Sequence, residues 1–252
     1  EKIGALTTIV NNIKEGGYVI IGTGPLPAFL KAMYNIEIGQ KADPQDVAAA
    51  GEFIGLAGEK NVKILLPADF SAVKFAGKDI SEQRIAAEAM LKSKKLPLDA
   101  TVYTVTLEQL KQGSFVNNNI GEKISSQNVF VYDLGPTSIA EFKQVVRNTP
   151  KDNTIFWNGT VGVNEMPAFE TGTKELAITL GEVSKNATRP EGVNGVTGGG
   201  DTAAAMEQFG VDQQLTFVST GGGAALALLD GKELTAIEKL AEIQATRKAV
   251  AE

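Results

Sequence analysis

Gly198-Gly199-Gly200-Asp201-Thr202 puts three glycines and a carboxylate at the expected start of a helix. Glycines leave backbone N–H groups unobstructed, and a helix start is an anion site. A carboxylate there repels a bare phosphate. It makes chemical sense if a divalent cation lies between Asp201 and phosphate oxygens. The plainer reading makes Asp201 the N-cap of an alanine-rich helix. The local sequence leaves both open. Ser219-Thr220-Gly221-Gly222-Gly223 repeats the device one strand later. Alone it reads as a tight turn of small residues, but two glycine triplets at successive strand ends can line one crevice with amide donors. WNGTVGVNE, Trp157 to Glu165, follows a third strand. Asn158 there can position a nucleotide, and Glu165 can accept from ribose hydroxyls. A solvated or capping role for Glu165 is the bland alternative, and Trp157 reads as core. Gly22-Thr23-Gly24-Pro25-Leu26-Pro27 begins like G-x-G-x-x-G, but Pro27 stands where glycine permits close helix–strand packing. A dinucleotide site is therefore not favoured. A P-loop is excluded, because G-x-x-x-x-G-K-[ST] does not occur.

Composition narrows the chemistry further. The 252 residues include no histidine and no cysteine. That rules out histidine bases, thiolates, disulfides and the common zinc sites. Carboxylates, lysines, hydroxyls, backbone amides and a hard metal remain. Zero cysteine fits a reducing compartment. The net charge of −6 comes without a Lys/Arg cluster, so a nucleic-acid surface is not expected. No apolar run approaches the roughly 18 residues of a membrane span. Glycine numbers 27, against about 18 at average usage. Most of the surplus lies in four short clusters. Such clustering suggests backbone that must come close to something.

These clusters need elements to hold them. Apolar residues at helical spacing predict a helix over 3–15, and Tyr18 to Ile21 reads as a buried parallel strand before Gly22. Helices are expected over 26–34 and from Asp43-Pro44 to about Lys60, the second capped by Asp43 with Pro44 at its first position. Lys63 to Leu66 is the next strand, broken by Pro67. Ile80 to Lys92 reads as helix, with Arg84 and Glu88 paired at i,i+4. Thr101 to Thr106 is β-rich, and polar Val116 to Gln127 reads as an exposed loop. Val129 to Tyr132 is a strand. Ser138 and Glu141 form a capping box for a helix to about Arg147. Strands at 154–157, 195–197 and 215–218 alternate with helices over 173–185 and 202–209. A helix follows the second triplet through Leu229, and Thr235 with Glu238 caps a last one. The repeated strand–glycine–helix order predicts an α/β fold with a mainly parallel sheet covered on both faces. Ligands in such sheets sit at the carboxyl ends of the strands, where the glycine clusters fall.

In this order, several stretches together resemble the C-terminal, nucleotide-binding half of the phosphoglycerate kinase family. They are Glu1-Lys2-Ile3, IIGTG with FLKA, LLPAD, DLGP, WNGTVGVNEMPAFETGT, GGGDTAAAMEQFG and STGGGAALALLDGKEL. The resemblance implies a Rossmann-like three-layer α/β/α domain. It implies phosphoryl transfer between 1,3-bisphosphoglycerate and Mg-ADP, giving 3-phosphoglycerate and Mg-ATP. Mg²⁺ and ADP or ATP are the implied cofactor and nucleotide. Lys2 matches the lysine at the transferring phosphoryl group. Gly22, Thr23 and Gly24 match the glycine turn near the adenosine, and Gly135 the adenine pocket wall. Asn158, Gly159, Thr160, Gly162 and Glu165 match the nucleotide loop, with Glu165 on the ribose. Gly199, Gly200 and Thr202 match phosphate contacts, and Asp201 the magnesium ligand. Gly221, Gly222 and Gly223, with Gly200, match amides that face the transferred group. Phosphoryl transfer needs positioning and charge stabilisation rather than a covalent nucleophile, which suits a chain without histidine or cysteine.

Departures from the family pattern are local. Thr23 replaces the middle glycine of the first triplet, Thr160 a proline and Asn164 a phenylalanine. The expected layout is a nucleotide-binding domain over 1–232, with an insertion at about 78–127, then a C-terminal helix over 233–252. The start at Glu1 reads as a fragment boundary. The family's N-terminal domain, with its basic patch for 3-phosphoglycerate, has no counterpart here. The fragment is expected to bind adenine nucleotide, not to turn over alone, and to be a cytoplasmic monomer away from membranes and nucleic acid.

Overall fold

The computed structural model describes residues 9–221 apart from 78, 119 and 187. The glycine clusters at Gly22, Gly159, Gly199 and Gly221 are therefore in view. Lys2, Gly222, Gly223 and the expected helix over 233–252 lie outside the described residues.

β1 (Tyr18–Ile20) pairs in parallel with β2 (Lys63–Leu65). Between them run α1 (Leu26–Tyr34) and α2 (Pro44–Glu59). The cap of α2 is the one its sequence announces: the Asp43 carboxylate accepts the Gln45 amide at 2.8 Å, and Pro44 opens the helix. α1 is buried on two sides. Ala28 and Phe29 pack with Phe53 and Ala57 of α2, the two phenylalanines edge to face at 5.6 Å. Leu26 and Leu30 point into a second cluster with Phe70, Tyr103 and Val131.

That second cluster belongs to an antiparallel sheet that the strand–helix alternation does not announce. β3 (Asp69–Lys74) lies between β4 (Thr101–Thr106) and β7 (Phe130–Leu134). Pro67 ends β2 as expected, but the chain resumes as a strand only two residues later. Between β3 and β4 runs α3 (Ile80–Ser93), capped by Asp79 through the Ser81 and Glu82 amides. Arg84 does not pair with Glu88. Its Nε donates to the Gly39 carbonyl at 3.0 Å, because that buried acceptor lies within reach.

The expected exposed loop over 116–127 is instead a hairpin. After the short α4 (Leu107–Lys111), β5 (Ser114–Asn117) pairs with β6 (Glu122–Ser125). Phe115 and Ile124 face each other across the pair and are buried against the second cluster. Cross-strand apolar contact over a core helps hold the hairpin, and Asn117 ties it to β4 by donating to the Thr104 carbonyl at 3.2 Å.

The third sheet is parallel, in the order β8 (Thr154–Asn158), β9 (Asn194–Gly198), β10 (Phe217–Ser219). α5 (Pro136–Arg147) precedes β8. α6 (Thr171–Val183) links β8 to β9, and α7 (Gly200–Gln208) links β9 to β10. The α/β class and the parallel pairing of these strands stand as the sequence predicts. The Ser138–Glu141 capping box does not form. Gly135 is the N-cap of α5 and no local side chain caps it. Asp69, at the start of β3, takes the Thr137 and Ser138 amides at 3.1 and 2.8 Å. Ser138 turns its hydroxyl onto the same carboxylate and onto the Asp69 carbonyl. A residue 69 positions away has replaced the local cap. No helix among the described residues is long and apolar enough to cross a membrane.

Candidate functional site

β8, β9 and β10 end in one row, with Asn158 beside Gly198 and Gly198 beside Ser219. α7 starts just beyond. Gly199 is its N-cap at φ 103° and ψ 144°, in a region where side chains are rare. A Cβ there would also lie 2.8 Å from Asn158 Oδ1. The Gly199 amide donates to the Ser219 carbonyl at 3.0 Å. The following amides, of Gly200, Asp201 and Thr202, meet no acceptor among the described residues. They form the positive end of the helix.

Asp201 is exposed and makes no hydrogen bond or ion pair with the other described residues. It is not the N-cap, because Gly199 holds that position. That removes the N-cap reading of Asp201. A single free carboxylate beside open amides suits Mg²⁺, which takes one or two carboxylates and completes its shell from phosphates and water. The described residues contain no group of three or more acidic side chains that would hold a metal unaided, so the metal would arrive with its phosphates.

Two loops join this helix start. The Gly159 amide (φ 86°) donates to Thr202 Oγ1 at 2.7 Å, fastening the loop after β8 to α7. Trp157 is half-buried and packs against two core clusters, and its indole N–H donates to the Gly159 carbonyl. The first glycine turn meets the same loop from the other side. Thr23 donates to the Val161 carbonyl through both its amide, at 3.0 Å, and its hydroxyl, at 2.8 Å. A Cβ on Gly22 would stand 3.1 Å from Val161 Cα, whereas Gly24 faces open space. Asn158 and Glu165 are exposed. Gly221 is exposed, its amide 3.2 Å from Ser219 Oγ. The structure thus gathers Gly22, Thr23, Gly24, the 158–165 loop, Gly199 to Thr202 and Gly221 around the strand ends.

Gly135 and Gly162 sit differently. Gly135 is buried, its amide donates to the Asp69 carbonyl at 2.9 Å, and Asp69 fills the space a side chain would need. Gly162 is buried against Asp133, and its amide donates to Thr173 Oγ1 at 3.3 Å. Both glycines serve close packing within the chain. The hydroxyl of Thr202 likewise works inward, on Gly159. A shallow cavity between α7 and β10 touches the site only at Gly200; its rim carries Glu207 and Asp212, which disfavours phosphate.

Sequence reading did not single out Asp133. Its carboxylate is buried, with Oδ1 taking the Leu134 amide at 2.8 Å and Oδ2 the Gly172 amide at 2.9 Å. The available signal was a carboxylate closing the apolar run Val129 to Tyr132, an odd place for a charge. Burial pushes this carboxyl from the usual 3.8 up to about 6; the amides of Gly172, Leu134 and Thr171 pull it down, and Glu170 adds to the rise. The folded chain therefore holds this proton more tightly than the unfolded chain does. Stability from Asp133 is full below about pH 4 and is lost as pH rises through about 6. Comparing denaturant melts of the wild type and Asp133→Asn isolates it. The wild-type stability minus that of the variant should fall by about 2 to 3 kcal/mol across that window. A flat difference would show that the buried charge costs nothing.

Comparison with known proteins agrees with this architecture. A family model described as phosphoglycerate kinase matches residues 84–232. The phosphoglycerate kinase of Dictyoglomus turgidum is 32% identical over 241 residues, covering 95% of this chain and 48% of the relative. That of Nostoc sp. is 31% identical over 242 residues, covering 96% and 49%. The solved phosphoglycerate kinase of Coxiella burnetii superimposes with a TM-score of 0.66 at 28% identity, over 92% of this chain and 47% of that one. The chain spans about half the length of the relatives it matches. With a family model matching more than half of its residues, and those residues including β8, β9, α7 and the loops that join them, the chain belongs to the phosphoglycerate kinase family.

Proposed function

We propose that this chain supplies the nucleotide half of a phosphoglycerate kinase. On this reading the whole enzyme moves a phosphoryl group between 1,3-bisphosphoglycerate and Mg-ADP, and this chain binds the adenine nucleotide. The observation that carries the reading is the start of α7. Three amides and an Asp201 carboxylate that meet no partner among the described residues stand beside two exposed polar side chains, Asn158 and Glu165. The amides of Gly200, Asp201 and Thr202 would receive phosphate oxygens. Asp201 would hold the Mg²⁺ that comes with them, and the metal would supply charge neutralisation for the bridging phosphates. Glu165 would accept the ribose hydroxyls. Gly221 and Lys2 would complete the end nearest the moving phosphoryl, with the acyl phosphate delivered by a partner domain.

The departures at Thr160 and Asn164 support a second reading, a catalytically degenerate relative kept as a nucleotide-binding or regulatory module. Asn164 is buried and its amide reaches Gln208 Oε1 at 3.4 Å, so the fold accommodates a polar group at that position. Titration calorimetry with Mg-ADP tests the leading reading. Saturable heat is expected below millimolar nucleotide, with no 1,3-bisphosphoglycerate-dependent ATP formation by the chain alone. Silence at millimolar Mg-ADP would overturn the nucleotide assignment. Turnover without a partner domain would overturn the division of labour.

A further inference from the structure

The 158–165 loop presents Asn158 and Glu165 at its two ends, yet what fixes their spacing lies behind it. The Val163 amide donates to the Tyr132 carbonyl at 2.9 Å, beside Asp133. The Gly162 amide donates to Thr173 Oγ1 in the first turn of α6. Asp133 fills the space between loop and helix. A methyl group on Gly162 would come within 2.7 Å of Asp133 Cγ, and one on Gly172 would collide with Oδ1. The carboxylate thus touches the loop on one side and holds the α6 start on the other, through the Gly172 amide. No lysine or arginine of the described residues pairs with it, and the charged side chain acting on it is Glu170, of like sign. Peptide dipoles at the α6 N-terminus meet the charge instead. A buried carboxylate without a counter-ion is expensive. Space-filling alone does not explain one here, since an apolar side chain would fill the gap without a charge to bury.

We propose that Asp133 and Thr173 are positioning residues for nucleotide binding: they seat Gly162 on the first turn of α6 and so set where Asn158 and Glu165 stand. This rests on the nucleotide reading above. Asp133→Asn keeps the shape but sets an amide N–H against one backbone N–H. Thr173→Val is isosteric and removes the acceptor for Gly162. Each variant of the full chain should weaken Mg-ADP about tenfold in calorimetry, the scale of a small positioning error. The double variant should lose less than the product, because both act through one seat. Amide exchange should quicken over 159–165 and stay unchanged over α5 and β9. Unchanged affinity in a folded variant would overturn the proposal whatever the exchange does, as would uniform quickening across the chain. Should Asp133→Asn fail to fold, Thr173→Val carries the same two readings. Should the wild type bind no nucleotide, the assignment of the previous section fails, and loop exchange alone decides whether the seat exists.

Discussion

Gly135→Ala is expected to lower the stability of this chain by about 4 kcal/mol, enough to unfold a marginal domain. The reason is geometric. An alanine Cβ would lie 2.5 and 2.6 Å from the two carboxylate oxygens of Asp69. Asp69 is 4% exposed and has nowhere to retreat. Its carboxylate accepts the Thr137 amide, the Ser138 amide and the Ser138 hydroxyl. Moving it would leave these donors unsatisfied at the start of α5. Overpacking costs about 1–3 kcal/mol, and each orphaned buried donor about as much again. Urea melts of the two proteins give the number. Asp69→Ala should also destabilise the chain, but in that background Gly135→Ala should cost far less, because the obstruction is gone. A loss below about 1 kcal/mol for Gly135→Ala alone would show that the junction between β3 and α5 yields.

Asp201→Ala is expected to act on ligand rather than fold. Mg-ADP should bind about a hundredfold more weakly, while metal-free ADP changes by no more than about threefold. The side chain is exposed, caps nothing and pairs with nothing among the described residues. Its loss removes only a favourable charge near a helix start, worth about 0.3–1 kcal/mol. Calorimetry with and without magnesium, beside a thermal melt, separates the two effects. Equal weakening of both nucleotide forms would sink the metal role and leave Asp201 a general surface charge. The contrast with Gly135 is instructive, since both residues stand at a helix start. One is held by a buried neighbour from another strand; the other faces solvent.

The elements around the strand ends were legible in the sequence. The strands at 154–158 and 194–198 and the helix after the first triplet fall within a few residues of the elements read from periodicity. The cap of α2 did too, because Asp43 acts on an amide two residues away. Local chemistry of this kind is written in adjacent letters. Failures came where a distant residue intervened. Ser138 looked like a cap until Asp69 took the helix start. Arg84 looked paired with Glu88, but its Nε donates to the Gly39 carbonyl instead. The stretch over 114–125 looked like an exposed loop because its few apolar residues gain nothing until a core lies beneath them.

The sequence by itself determined the class of fold, the family and the chemistry open to a chain without histidine or cysteine. It also determined that glycine clusters stand at strand ends, because strand–turn–helix order is a local pattern. Only the tertiary structure decided what each glycine is for. Gly24 and Gly200 border open space, where amides can reach a ligand; Gly22 lets one loop touch another; Gly135, Gly162 and Gly172 make room for two buried carboxylates. A glycine is identical in every context until its neighbours are known. Those neighbours come from strands and loops tens of residues away, and close packing brings them together only in the folded chain.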